Sequence, residues 1–576
     1  MSAACPRASV RQIPTRFDPK LALLDTRPDD SGQSSRPRSV TDRYYCGERL
    51  LWKRGHHIFP NPLLATAASG AYATMSDVAR RKHQARALVA LSFAAIVVGS
   101  IPVFGTRFLN DMDFYALFAD KLLSGRVLYR DALDTKPPLV FLHYALVFKI
   151  CGLNNVTAVK AVTMGWLGLS ALGMVALRKA LSPTALVPTL AAPVFVLASL
   201  SGWGEDFLSS NTEILANLFI LAGVWLLVAE DFSHQPLRLF LGGVCLGTAC
   251  LYRYQSGASL LAYATTILLR HRQFDRKITR LLFIGGGVAL PGVILVGYYA
   301  WLGALADLRL MLALQVHYAR GVENFHWLRF LGRVLIAVSG LWPTILLASC
   351  QAVAILRTPA AASRSDIFQL LFAAWSAATF IVGGRFFPHY FVAAIPALAL
   401  LATAQLEALE ATSQPRLPWV KAHAFAILVM VAVVFTAING TYYWTKEDAR
   451  PSGEVVAFVE ANSRPSDEVL LWAWRPQLLL ETGRTFATRL LVNSPLIGQL
   501  QPMREPDRPA TRCSGLAGLW TIFLHDFASA PPRLIIDYPP GRSEWSLDRY
   551  PQLASLLANY QPCRTIDDLC IYLRKE

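Results

Sequence analysis

Between residues 87 and 443 the chain is a succession of long apolar blocks separated by short polar links, and Arg and Lys gather in alternate links. Few folds accept that pattern. In hydrocarbon every backbone N–H and C=O must be satisfied within the protein, so segments of this kind cross a bilayer as helices. Composition agrees: 54% of the 576 residues are hydrophobic, 16% are charged, and the mean hydropathy is +0.37. Soluble domains run at about 45–50% apolar and about 25% charged. The formal net charge of +16 lies in the links, where it reads as a topology signal and suits an anionic lipid surface. No RNA-recognition or zinc-finger pattern accompanies it, and nucleic acid is excluded as a partner. The bilayer itself is the first partner the sequence implies.

The positive-inside rule orders the blocks. A basic stretch, Arg80, Arg81, Lys82 and Arg86, runs into the first span, 87–104. Ten more follow at 157–177, 184–201, 211–229, 237–252, 255–269, 281–302, 330–356, 367–383, 391–408 and 422–443. Arg178-Lys179, the run Arg270 to Arg280, Arg357 with Arg364, and Arg416 with Lys421 then all fall on the cytoplasmic side. Segment 138–152 contains His143 and Lys149 and is short for the roughly 20 residues a span needs, so it is expected to lie along the outer surface as an interfacial helix. The fold class expected is an α-helical polytopic membrane protein of about eleven transmembrane helices with a small C-terminal α/β domain. The N-terminus is expected in the cytoplasm and the C-terminal domain in the periplasm, across a bacterial inner membrane.

Three regions follow. Residues 1–86 read as a basic, disordered N-terminal extension, rich in Arg, Pro, Ser and Asp up to residue 74, with Met75 as a candidate true start. Residues 87–443 form the transmembrane domain with its outer loops. Residues 444–576 alternate short apolar runs (Val469-Leu470-Leu471, Leu534-Ile535-Ile536, Cys570-Ile571-Tyr572) with polar and Pro-rich stretches, which reads as a small extracytoplasmic α/β domain. Nine cysteines lack metal-ligand spacing. Those at 151, 245, 250 and 350 sit in or beside apolar blocks as small hydrophobes, and one disulfide among Cys513, Cys563 and Cys570 is compatible with an oxidising compartment.

Polar residues at the outer ends of spans carry the chemistry, because a charge within hydrocarbon costs about 2.5–3.5 kcal/mol and is kept only where it faces a cavity or a partner. The first outer loop is the richest: Asn110-Asp111-Met112-Asp113-Phe114-Tyr115, then Gly125 with Tyr129 and Asp131, then Asp134-Thr135-Lys136-Pro137-Pro138. An acidic pair directly after the first span supplies either a general base at the membrane surface or a helix cap. On the same face lie Glu205, Asp206, Ser210-Asn211-Thr212-Glu213, Arg253, and Gly384-Arg385-Phe386-Phe387-Pro388-His389-Tyr390. The loop 303–328, with His317, Tyr318, Arg320, Glu323 and His326, is a looser candidate for lipid or acceptor contact.

In that order these segments resemble the C-type glycosyltransferase superfamily. More narrowly they resemble the bacterial relatives of the protein mannosyltransferases, which include the lipid A aminoarabinose transferases and the Rgt-type galacturonosyltransferases of the lipopolysaccharide core. The resemblance covers about residues 87–410 and is looser beyond. It implies an inverting transfer of a sugar from a polyprenyl-phosphate donor to an envelope acceptor: lipopolysaccharide core, another glycolipid or a protein. Asp111 matches the family's base, but the neighbouring position holds Met112 instead of the usual Glu, so Asp113 stays open beside it. The leaving polyprenyl phosphate needs positive charge, for which Lys136 by family position, Arg253, Arg385 and His389 are candidates, with Asp134, Glu213 and Tyr390 as binding residues. Tyr115 and Tyr129 read as packing residues. No metal and no cofactor is expected, the lipid-linked donor being a co-substrate. A lipid or sugar flippase is the main rival. It would show inverted repeats and midplane charges, whereas these charges sit at one face. An envelope polymerase or ligase using a pyrophosphate-linked donor is the second.

Overall fold

The computed structural model describes residues 62–107, 111–185, 187–203, 208–232, 235–270, 274–320, 327–379, 387–411, 417–447, 452–493, 495–496, 518–538, 546–561 and 564–575. The chain divides into two units, Met1–Gly70 and Ala71–Glu576. Of the first only the helical residues 62–70 are described, so residues 1–61 of the expected extension lie outside the described residues, and helix α1 runs through Met75.

Among the described residues fourteen α-helices precede the C-terminal part: α1 (Pro62–Phe104), α2 (Asp111–Leu123), α3 (Leu139–Cys151), α4 (Val156–Leu181), α5 (Ala191–Leu200), α6 (Thr212–Phe232), α7 (Pro236–Tyr252), α8 (Ala258–Arg270), α9 (Phe274–Trp301), α10 (Leu305–Arg320), α11 (Trp327–Arg357), α12 (Arg364–Ala378), α13 (Ile395–Ala411) and α14 (Leu417–Glu447). Seven of these, within α1, α4, α6, α9, α11, α13 and α14, are long and apolar enough to cross a membrane. The other four expected spans form helices too, but shorter ones, at 188–200, α7, α8 and α12. The protein is a polytopic helical membrane protein. Without a hydrophobic drive between helices in lipid, packing must come from close backbone approach. Here α7 and α9 meet through glycine: a Cβ on Gly243 would collide with the Ile284 carbonyl, and one on Gly287 with the Phe240 carbonyl.

The C-terminal part holds α15 (Gly453–Asn462), β1 (Glu468–Leu471), α16 (Pro476–Thr482), β2 (Thr485–Phe486), α17 (Leu519–Ser529), β3 (Leu534–Asp537), β4 (Arg564–Ile566) and β5 (Leu569–Leu573). The three apolar runs read from sequence are β1, β3 and β5. They form one sheet in the order β2-β1-β3-β5-β4, parallel across β2, β1 and β3 and antiparallel beyond. Cys570 is disulfide-bonded, while Cys513 and Cys563 lie outside the described residues.

This small sheet is tied to the first loop. Phe114 and Phe118 of α2 pack on Trp474 (5.1 Å) and Phe486 (5.3 Å). The Lys121 ammonium, 4% exposed, meets Glu468 at 2.8 Å. Leu133 donates its N–H to the Arg489 carbonyl at 2.6 Å, and the Arg489 guanidinium grips Asp526 through two bonds of 2.8 and 2.9 Å. Away from these contacts, Arg178, read above as a cytoplasmic marker, is buried: it binds Glu407 of α13 through two nitrogens (2.6 and 3.4 Å) and Gln369 of α12 at 3.2 Å.

Candidate active site

Helix α2 begins at Asp111, with both Asp111 and Asp113 in its first turn, where the helix dipole favours negative charge. Two residues apart on a helix, the two side chains point to different faces. Asp113 turns inward and is 1% exposed. Asp111 turns to the loop, 33% exposed at its side chain, with the Lys136 ammonium 3.2 Å away. The Tyr115 hydroxyl donates to the same carboxylate oxygen at 3.5 Å, and Lys136 lies over the Tyr115 ring at 5.1 Å. Tyr115, read from sequence as packing only, therefore touches the pair. Four residues separate it from Asp111, one helical turn, which is the signal that was available.

The Asp134-Thr135-Lys136-Pro137-Pro138 segment acquires a geometric meaning. The Asp134 carboxylate accepts the Lys136 N–H at 2.8 Å, a side-chain-closed turn, and the Tyr129 hydroxyl donates to the Lys136 carbonyl at 2.8 Å. Tyr129 itself has φ +69°, an uncommon conformation for a residue with a side chain, held by stacking on Tyr299 at 5.7 Å. Pro137 and Pro138 then lead into α3. Asp134 thus closes the backbone turn that carries Lys136.

Facing this pair is a second charged group. Glu213, in the first turn of α6 and 1% exposed, forms a close ion pair with Arg253 and accepts from the Thr212 hydroxyl at 2.8 Å. Arg253 stands in extended backbone at the break between α7 and α8, 9% exposed. It lies over the Tyr390 ring at 4.1 Å, so it is a buried, partnered arginine and no interfacial snorkeller. His389 Nε2 is 3.7 Å from the same Glu213 oxygen, and its ring stacks on Phe387 at 5.4 Å. Arg385, Glu205, Asp206, Glu323 and His326 lie outside the described residues. Tyr318 of α10 lies near enough to Lys136 and Arg253 to act on both electrostatically.

The two halves form one electrostatic unit. Burial pushes the Asp111 carboxyl up, but Lys136, His389 and Arg253 together outweigh it and hold the carboxyl below its usual range. Burial pulls the Lys136 ammonium down, and Asp111 and Asp134 more than restore it. Burial and the Asp111 charge push the Tyr115 phenol well up, so it stays a donor. Near neutral pH the site thus presents an ionised carboxylate that can accept a proton, beside cations that can hold an anion. Among the described residues no group of three or more His, Cys, Asp or Glu stands together as metal ligands.

No protein-family model matches the chain, and no curated protein matches it significantly in sequence. Solved structures do match. ArnT from Cupriavidus metallidurans bound to undecaprenyl phosphate superposes with a TM-score of 0.51 at 15% identity, covering 84% of this chain and 97% of that one. The archaeal oligosaccharyltransferase AglB from Archaeoglobus fulgidus, in complex with an inhibitory peptide and a dolichol-phosphate, gives a TM-score of 0.48 at 11% identity, covering 86% and 74%. At that level of identity the ArnT match demonstrates architecture alone: this chain shares the fold of that structure over 84% of its length.

Proposed function

We propose that the protein is an inverting glycosyltransferase. It moves a sugar from a polyprenyl-phosphate donor to an envelope acceptor (lipopolysaccharide core, glycolipid or protein) at the periplasmic face of a bacterial inner membrane. The observation that carries this reading is the Asp111–Lys136 pair at 3.2 Å set against Arg253 and His389. That the structurally similar ArnT holds undecaprenyl phosphate supports a lipid monophosphate as the leaving group.

In this reading Asp111 takes the proton from the acceptor hydroxyl as its oxygen bonds to the anomeric carbon. The bond from that carbon to the phosphate oxygen breaks, and the oxygen leaves with the electron pair. Lys136, Arg253 and His389 hold the charge that gathers on the phosphate. Attack from the face opposite the leaving group inverts the anomeric centre. Asp111 is favoured over Asp113 because a base must reach its proton, and Asp113 is 1% exposed. Glu213 keeps Arg253 and His389 aimed. The donor is the co-substrate, with no further cofactor or metal. Residues 87–443 form the catalytic membrane domain and 444–576 its periplasmic partner.

Transfer by purified protein from radiolabelled polyprenyl-phosphate sugars to a membrane extract tests the reading. Asp111→Asn is expected to lose on the order of a hundredfold or more with donor binding kept. If wild type transfers from no donor, the flippase reading replaces this one. Sugar analysis of envelope glycans in a deletion strain would identify donor and acceptor.

A further inference from the structure

Lys160 lies in the first turns of α4, within an apolar span, and its side chain is 1% exposed. Burying an ammonium costs several kcal/mol unless its three N–H groups are satisfied. Here they are oversupplied. The Nζ reaches the Val103 carbonyl at 2.6 Å, the Thr106 hydroxyl at 3.0 Å, the Arg107 carbonyl at 3.1 Å and also the Thr106 carbonyl. The acceptors are the Val103 carbonyl in the last turn of α1 and, just beyond it, the Thr106 and Arg107 carbonyls and the Thr106 hydroxyl, where a cation opposes the negative pole of the helix.

Arg107 stands four positions before Asp111, so fixing it confines where α2 can begin to about 14 Å of chain. Asp113, buried in the first turn of α2, lies near enough to Lys160 to act on it electrostatically. Lys160 thus grips residues 103–107 at the end of α1, while Asp111, on the other face of α2 from Asp113, meets Lys136. We propose that Lys160 is a positioning residue that sets the Asp111 carboxylate against Lys136 by fixing the end of α1 from which the chain runs to α2. It touches no substrate. The inference rests on Asp111 being the base.

The test compares full-length Lys160→Met, Lys160→Arg and Asp113→Asn with wild type in detergent, measuring folded yield, donor KM, kcat and the pH profile of kcat/KM. Lys160→Met is expected to lower kcat by about ten- to a hundredfold, the scale of a misplaced catalytic group, with donor KM little changed. Its acid limb is expected to move to higher pH, because a displaced Asp111 loses the ammonium that holds its carboxyl down. Lys160→Arg should restore most of the rate. If Lys160→Met does not fold, Asp113→Asn carries the test, with the same direction of shift. An unmoved acid limb, with activity falling only as folded yield falls, overturns the proposal, as does an unchanged kcat. Asp111→Asn run in parallel separates the two ideas: near-normal transfer there sinks the base assignment itself, whereas a dead Asp111→Asn beside an unmoved acid limb sinks only the role of Lys160.

Discussion

Breaking the Arg178–Glu407 pair should cost more stability than almost any other single polar change in the bundle. The two side chains are 7% and 9% exposed, and the guanidinium offers two nitrogens to the carboxylate and a third to Gln369. Replacing Arg178 with Met leaves the Glu407 carboxylate buried and uncompensated, which costs about 3–5 kcal/mol. Replacing both partners, Arg178→Met with Glu407→Leu, removes the desolvation penalty along with the attraction and should fall within about 1–2 kcal/mol of wild type. Glu407→Leu alone strands the guanidinium at a similar cost, so the double-mutant cycle should return a coupling energy of roughly 4–9 kcal/mol. Titrating micelle-bound protein with denaturing detergent, followed by fluorescence of its 14 tryptophans, measures each variant. Transfer by the surviving folded molecules should be near normal, because Arg178 lies eighteen residues along α4 from Lys160, about 27 Å from the site end. Single variants that lose under about 1 kcal/mol, or a double variant that loses the sum, would refute the reasoning.

Three further outcomes are expected. Lys136→Met removes the largest influence holding the Asp111 carboxyl down. The base then titrates at higher pH, so the acid limb of kcat/KM moves up, and an unmoved limb would separate Lys136 from Asp111. In the C-terminal part, burial pushes the Asp537 carboxyl up to about 7 against the backbone N–H groups of Leu547 and Tyr538. A carboxyl raised on folding stabilises below its unfolded value and loses that contribution as pH rises through 7, roughly 4 kcal/mol in all. Wild type should therefore melt lower at pH 8 than at pH 5, and Asp537→Asn should flatten the difference. Gly243→Val places a branched side chain where the Ile284 carbonyl stands. It should separate α7 from α9 and destabilise the bundle by several kcal/mol, seen as a lower melting point in detergent.

How much of this was legible in the sequence depended on the range of each interaction. Apolar blocks are local, so the helices of the bundle and strands β1, β3 and β5 could be read directly. In the first loop only short-range links were within reach of the sequence, Asp111 with Tyr115 over one turn of helix and Asp134 with Lys136 over one turn of backbone, while the meeting of Asp111 with Lys136 needed the fold. The partner of Arg178 was not legible, since Glu407 stands beside it only in the fold, 229 residues later. Lys160 was invisible for the same reason: its acceptors are backbone atoms 53 to 57 residues away. Choosing Asp111 over Asp113 needed the direction of a helix face, which spacing alone leaves open when the helix start is unknown. Span count was limited by length: α7, α8 and α12 are apolar enough to read as crossings, and only their bounds reveal how short they are.

The clasp between Lys121 and Glu468 joins residues 347 positions apart, and this has a consequence for the newborn chain. At about 5–20 residues per second, the ribosome takes roughly 20–70 s to travel from one to the other. Throughout that interval α2 already stands at the membrane surface, yet the sheet that backs it, and the Arg489 carbonyl that receives Leu133, do not exist. Until the C-terminal part is made, the first loop lacks the contacts from Trp474, Phe486, Glu468 and Arg489 that back it. A chain stopped after residue 447 should enter the membrane and transfer nothing, and adding residues 448–576 as a separate polypeptide should restore activity wherever the clasp re-forms. Placing the brace for the first loop 347 positions after it makes the support of that loop a product of late synthesis.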